Sequence, residues 1–286
     1  MFTMTTRTLI FLACAALLCA GCASTSRACA AGWTQLDLNN PQAALTLFDQ
    51  DLTDDDKIGS LHAGRARSLY LMGRYDQAAE AYGQALQLQG DKHQWHIGHG
   101  NTQLALGKPS EAFTSYSAAI ELKPFSARAF YNRGLARAQL GDSEGALTDY
   151  SQSLVFNPEC AEALNSRGVA WAAQQDWPAA VNDFGLALSL DPLLSEAYSN
   201  RAAAYYAQGQ AELALQDLNE GIRINRNNPQ LYINRGRVLL DLELFADAAS
   251  DLERALVLAP GASAVWDDLK RARRGTTDDD ALAAGP

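Results

Sequence analysis

Small and apolar residues recur along this chain with a period of 34 residues. Windows beginning at Gly59, His93, Ala127, Ala161, Ser195 and Pro229 follow one another to Ala262 without an insertion or deletion. In the window from Ala127 to Cys160 the pattern predicts two short helices, a tight turn at Leu140-Gly141-Asp142 and a stop at Asn157-Pro158. Position 8 of each window is Gly or Ala: Ala66, Gly100, Gly134, Gly168, Ala202 and Gly236. Position 20 is always Ala, from Ala78 to Ala248, and position 27 is always small. Position 24 is large: Tyr82, Tyr116, Tyr150, Phe184, Leu218 and Leu252. Small residues facing each other let two antiparallel helices approach closely, and the large ones fill the remaining gaps. Added bulk at a position-20 alanine is therefore expected to overpack the seam, at a cost of roughly 1–3 kcal/mol. Each helix pair has neighbours on both sides against which to bury its apolar face, so the windows read as one continuous array.

A turn glycine recurs as Gly73, Gly107, Gly141 and Gly209, with Gln175 and Glu243 as departures. A closing proline recurs as Pro124, Pro158, Pro192 and Pro260, with Gly90 and Arg226 as departures. With the Gly/Ala and Ala positions, this spacing resembles the tetratricopeptide repeat over about 70% of the chain. The resemblance implies an all-α fold: a right-handed superhelical solenoid of helix–turn–helix repeats with a C-terminal capping helix. It implies a binding function rather than catalysis, with a protein or peptide as partner.

In that family the first helix of each pair, helix A, lines a concave groove through positions 2, 5, 6, 9, 12 and 13. Position 6 is Asn132, Ser166, Asn200 and Asn234 in the last four windows. An Asn side chain both donates and accepts, so such a row suits the backbone of an extended peptide. Tyr131, Leu135, Val169, Tyr206, Ile233, Arg237 and Leu240 surround it. Asn132, Asn200, Asn234, Tyr131, Tyr206 and Arg237 are the candidate groove residues. The other role open to the Asn row is hydrogen bonding within the array. The carboxylate clamp of chaperone-binding members is absent. Around Asn132 only Asn101 matches it, and around Asn200 the slots hold Asn165, Val169, Gln230 and Asn234. Chaperone C-termini are therefore not the expected ligands.

The ends differ from the array. Arg7 and the apolar run Leu9–Leu18 form a segment too short to span a membrane and suited to a signal peptide over residues 1–21. Ala20-Gly21-Cys22 resembles a bacterial lipoprotein processing box, with Cys22 as the lipidated residue and Cys19 as a departure. That resemblance implies a lipid anchor in the bacterial cell envelope, at the outer membrane facing the periplasm. Ordinary cleavage after Ala23 or Ala30, giving a soluble periplasmic or secreted protein, is the alternative. Residues 22–32 are expected to be a tether and 33–58 a partial leading repeat, with Pro41 opening its helix. Residues 263–274 are expected to form a solvating end-cap helix and 275–286 a disordered tail.

The formal charge of −10 becomes −11 once Arg7 leaves with the signal segment, which argues against nucleic acid as a partner. The Asp54-Asp55-Asp56 run lacks the alternating ligands and glycine of a calcium loop. All four histidines lie between His62 and His99, and His93, His96 and His99 are three residues apart, so a metal-binding role is an alternative function. The register gives a simpler account of two of them. His62 and His96 take position 4, where Phe130, Tyr198 and Tyr232 stand elsewhere. Arg at position 7 accompanies Asp at position 23 in four windows: Arg133 with Asp149, Arg167 with Asp183, Arg201 with Asp217 and Arg235 with Asp251. This recurrence predicts an ion pair between the two helices of a repeat. No nucleophile–base pairing, phosphate loop or cofactor motif stands out. A self-associating structural spacer is the other alternative.

Overall fold

The computed structural model describes residues 27–283, with side chains from Cys29 to Thr276. The signal segment and Cys22 lie outside the described residues. The described chain is helical from end to end and divides into two compact units between Asp142 and Ser143.

The first unit holds α1 (Arg27–Asp37), α2 (Pro41–Asp54), α3 (Gly59–Leu71), α4 (Tyr75–Leu88), α5 (His93–Ala105), α6 (Pro109–Leu122) and α7 (Ala127–Gln139). The second holds α8 (Ser143–Phe156), α9 (Ala161–Ala173), α10 (Trp177–Leu190), α11 (Ser195–Ala207), α12 (Ala211–Ile224), α13 (Pro229–Asp241), α14 (Phe245–Leu258) and α15 (Val265–Ala283). Odd-numbered helices up to α13 are the A helices. Within each unit an A helix packs on its own B helix and on the B helix before it, where the unit holds them, and neighbouring A helices also touch. A unit is thus narrower on its A side.

Local chemistry explains the hairpins. Every A–B turn places one residue in the left-handed region, with φ near 70–80° at Gly73, Gly107, Gly141 and Gly209. The glycine lets the chain reverse, and the N–H three residues past the helix end returns to a last-turn carbonyl, as in Arg74 N to Leu69 O at 2.9 Å. Gln175 and Glu243 hold the same conformation, at φ 62° and 61°, against the preference of an L-residue. Helices start on Asn40, Ser126, Asp176 and Asn228 side-chain caps, with proline in the first turn of α2, α6, α10 and α13.

The close approach expected at position 8 has a specific partner, the large residue at position 24. A Cβ on Gly100 would stand 2.6 Å from the Tyr116 ring, and one on Gly168 would stand 2.6 Å from Phe184. Tyr116, Phe184, Leu218 and Leu252 are all at most 1% exposed.

Two boundaries differ from the sequence expectation. The leading repeat is a whole hairpin, because α1 begins at Arg27, inside the residues expected to form a tether. Gly32 occupies its position 8 against Phe48, and Cys29, Leu36 and Phe48 form its core with Leu61. At the other end α15 buries Val265, Leu269 and Ala272 over the last hairpin, as a cap must. It runs on to Ala283, where a tail without structure was expected after Arg274. Gly275 carries the helix past that point because its bare Cα lies against the Phe245 ring.

Candidate functional site

The position-7 arginines are the most regular polar feature. Arg167, Arg201 and Arg235 each grip the paired aspartate through Nε and Nη2, at 2.6–2.8 Å. Asp183, Asp217 and Asp251 are buried. The charge-assisted bonds raise the arginine pKa values above their ordinary range in spite of burial. Arg133 and Asp149 belong to different units.

The structure adds a second contact that the register alone did not reveal. Nη1 of three position-7 arginines turns back to position 25 of the preceding B helix, Arg133 to Ser117, Arg167 to Ser151 and Arg235 to Asn219, whereas Arg201 has Gly185 there. Arg65, which has Ala81 at the usual acid position, bonds Asp49 at 2.8 Å instead. Each such arginine therefore joins successive repeats, and in α9 and α13 it holds three helices. A cavity of about 310 Å³ beside Arg235 and Asp251, lined also by Leu215, Asn219 and Leu239, is floored by this fully used pair.

The histidines fit the same frame. His62 Nε2 bonds the Asp56 carbonyl and His96 Nε2 the Gly90 carbonyl, as Tyr232 Oη bonds the Arg226 carbonyl. A position-4 imidazole thus replaces the ring and the hydroxyl of a tyrosine. His99 and Ser115 replace the arginine–aspartate pair at 3.0 Å. Ser115 donates to the Glu111 carbonyl, so it accepts from His99 Nδ1, and Nε2 faces the Gln103 amide. Burial and the charge of His96 lower the His99 pKa. Among the described residues no three His, Cys, Asp or Glu side chains converge as metal ligands.

The expected groove residues lie on the A helices of both units. Asn132 Nδ2 donates to Asn101 Oδ1 at 2.8 Å, Asn200 Nδ2 to Asn165 Oδ1 at 3.0 Å, and Asn234 Nδ2 to Ser199 Oγ at 3.0 Å. Each bond ties an A helix to the preceding A helix. One amide hydrogen and the carbonyl oxygen of Asn132 and Asn200 lie outside these bonds, whereas Asn234 also accepts from Gln230 at 2.7 Å. Asn132 is 9% exposed and Tyr131 half-buried. At the end of the second unit the Tyr206 hydroxyl donates to Asp241, which also takes Arg271, and Arg237 pairs with Asp268 at 2.8 Å. Tyr206 and Arg237 are thus brought together with the capping helix. Ile233 and Leu240, expected beside the groove, are instead buried under α15 with exposures of 7% and 1%. Val169 is exposed and Leu135 half-buried.

Models described as TPR repeat match residues 100–141 and 203–242, and models described as Tetratricopeptide repeat match 131–193 and 59–92. Together they cover more than half of the 286 residues. This chain belongs to the tetratricopeptide repeat family. Solved tetratricopeptide structures share its solenoid fold. The Cut9–Hcn1 hetero-tetramer of the APC/C aligns with TM-score 0.70 at 20% identity, covering 82% of this chain and 48% of that one. The chain therefore spans about half the length of that relative. A tetratricopeptide protein from Parabacteroides merdae ATCC 43184 aligns with TM-score 0.67 at 19% identity over 85% and 96% of the two chains. YrrB, described as a TPR protein with an unusual peptide-binding site, aligns with TM-score 0.54 at 21% identity over 64% and 95%. At these identities the likeness is one of fold. Comparison with curated proteins gives no match. Tetratricopeptide proteins are generally non-catalytic scaffolds for protein interaction.

Proposed function

We propose that this protein is an adaptor of the bacterial cell envelope that holds a peptide segment or a partner protein along the A-helix face. A lipid on Cys22 tethers it to the outer membrane, facing the periplasm. The observation that carries the reading is the row of A-helix amides. Asn132 and Asn200 each join two A helices and keep a donor and an acceptor outside that bond. A backbone strand laid across Asn132 in the first unit, or across Asn200 in the second, finds complementary groups whatever its side chains. Asn132, Asn200, Asn234, Tyr131, Tyr206 and Arg237 are the proposed contacts. The peptide-binding site for which YrrB is described supports the same use of the fold.

Co-purification from crosslinked cells tests the proposal, comparing wild type with a variant carrying Asn132→Ala, Asn200→Ala and Asn234→Ala. Partners should be lost while circular dichroism stays native and stability falls only by what the three inter-helix bonds contribute, about 0.5–1.5 kcal/mol each. Partners that persist unchanged would move the binding site off this face. Mass spectrometry of the mature N-terminus tests the tether, since a diacylated Cys22 is expected and an unmodified terminus refutes it.

A further inference from the structure

Two position-7 guanidiniums each have a pair of aromatic rings against them. The Arg133 Cζ stands 5.7 Å from the centre of the Phe113 ring and 5.4 Å from that of Phe130. The Arg201 Cζ stands 5.8 Å from the rings of both Tyr198 and Tyr205. One ring of each pair comes from position 4 of the same A helix. The second has two sources: position 21 of the preceding B helix for Phe113, and position 11 of the A helix for Tyr205.

In the last hairpin Arg235 keeps its position-4 ring, Tyr232, at 6.0 Å. Both sources of a second ring are leucine there, Leu215 at position 21 and Leu239 at position 11. These two leucines line the cavity of about 310 Å³ beside Arg235. The cavity thus lies where the second ring of the pattern would stand. Its volume is at the lower end of ligand pockets, which start at about 300 Å³, and suits one side chain better than a cofactor.

The lining selects the occupant. All three guanidinium nitrogens of Arg235 already donate in the plane of the ion, to Asp251 and Asn219. An anion would have to compete with Asp251 and lie beside Asp247. A flat aromatic ring needs only the face of the guanidinium, and Leu215 and Leu239 offer it apolar walls. Asp247 and Ser250 are exposed, and neither is hydrogen-bonded or ion-paired among the described residues. They suit the N–H of tryptophan or the O–H of tyrosine, which phenylalanine lacks. A free amino acid would bring its own carboxylate against Asp247 and Asp251, whereas a side chain within a protein brings none.

We infer that the second unit takes up one tryptophan or tyrosine side chain of a partner protein in this cavity, stacked on Arg235 and donating to Asp247. Most of the lining belongs to the B helices α12 and α14, so this contact lies off the proposed groove and stands independently of it.

Titration of isotope-labelled protein with N-acetyl-tryptophanamide, followed by NMR, tests the site. The Arg235 Nε–H and the methyl signals of Leu215 and Leu239 should move under the ring current. N-acetyl-leucinamide should bind about threefold to thirtyfold more weakly. Two variants supply the second ring from within: Leu239→Tyr copies Tyr205, and Leu215→Phe copies Phe113. Each should shift the Arg235 signal without ligand and abolish the response to the probe. Asp247→Ala, at an exposed position, should keep the fold and weaken the probe about threefold to tenfold. The triple asparagine variant should respond as wild type does. Equal binding of the leucine probe, or signals that move only outside α12, α13 and α14, would overturn the proposal on wild type alone. A response that survives in a folded Leu239→Tyr or Leu215→Phe variant would do the same. Free L-tryptophan binding more tightly than its blocked amide would assign the cavity to a small molecule and overturn the partner reading.

Discussion

The pair Arg167–Asp183 offers the sharpest test of how repeats are joined. Its carboxylate is only 3% exposed and accepts bonds of 2.7 and 2.8 Å, while the arginine side chain is 23% exposed and also reaches Ser151 at 3.4 Å. Arg167→Met strands a carboxylate that has almost no water, and about 3 kcal/mol of destabilisation is expected. Asp183→Ala strands a guanidinium that keeps some solvent and the serine, and about 2 kcal/mol is expected. The double variant strands neither charge and should lose no more than about 3 kcal/mol, which leaves a coupling near 2 kcal/mol. Urea unfolding followed by circular dichroism measures the cycle. Hydrogen exchange in α9 and α10 locates the loss if repeats unfold separately. A coupling below about 0.5 kcal/mol would place this pair with exposed surface pairs and refute the stapling argument.

Three further outcomes follow from the geometry. Gln175→Gly and Glu243→Gly should each raise stability by about 0.5–1 kcal/mol, since φ near 60° costs an L-residue more than glycine loses in unfolded freedom; an unchanged or lower melting temperature counts against it. Gly168→Ala should lower stability by about 1–3 kcal/mol through contact with Phe184, with part recovered by adding Phe184→Leu, the combination found at Ala202 and Leu218; equal melting temperatures for wild type and Gly168→Ala would refute it. His99 has its pKa lowered, so the folded state binds its proton less readily than the unfolded chain. Its contribution is complete above the ordinary histidine pKa and is lost as pH falls through the lowered value. Thermal melting between pH 7 and 5 should show this loss, and a variant with His99→Arg and Ser115→Asp should show less of it.

The period, the helix pairs and the capping helix were legible in the sequence because they rest on local spacing. Gly32 in fact carried the signal for a complete leading hairpin, one period before Ala66, although no earlier window was there to set its register. The Arg–Asp pairs were legible too, because both members recur at fixed positions within one window. Interactions that cross from one repeat to the next were not. The bonds from Arg167 to Ser151 and from Arg235 to Asn219 involve a position whose residue type varies, so no motif marks them. Ile233 and Leu240 take groove positions by register, yet α15 covers them.

Periodic small residues commit this chain to tetratricopeptide repeats, since they dictate which helix surfaces can meet. Packing of one repeat on the next then settles which polar groups are spent and which are left over. Whether an Asn, Arg or Tyr is committed depends on the side chain brought opposite it by the neighbouring repeat. The bonded side chain lies 31 or 35 residues away for the asparagines and 16 for the arginines, and its distance in space is set by packing.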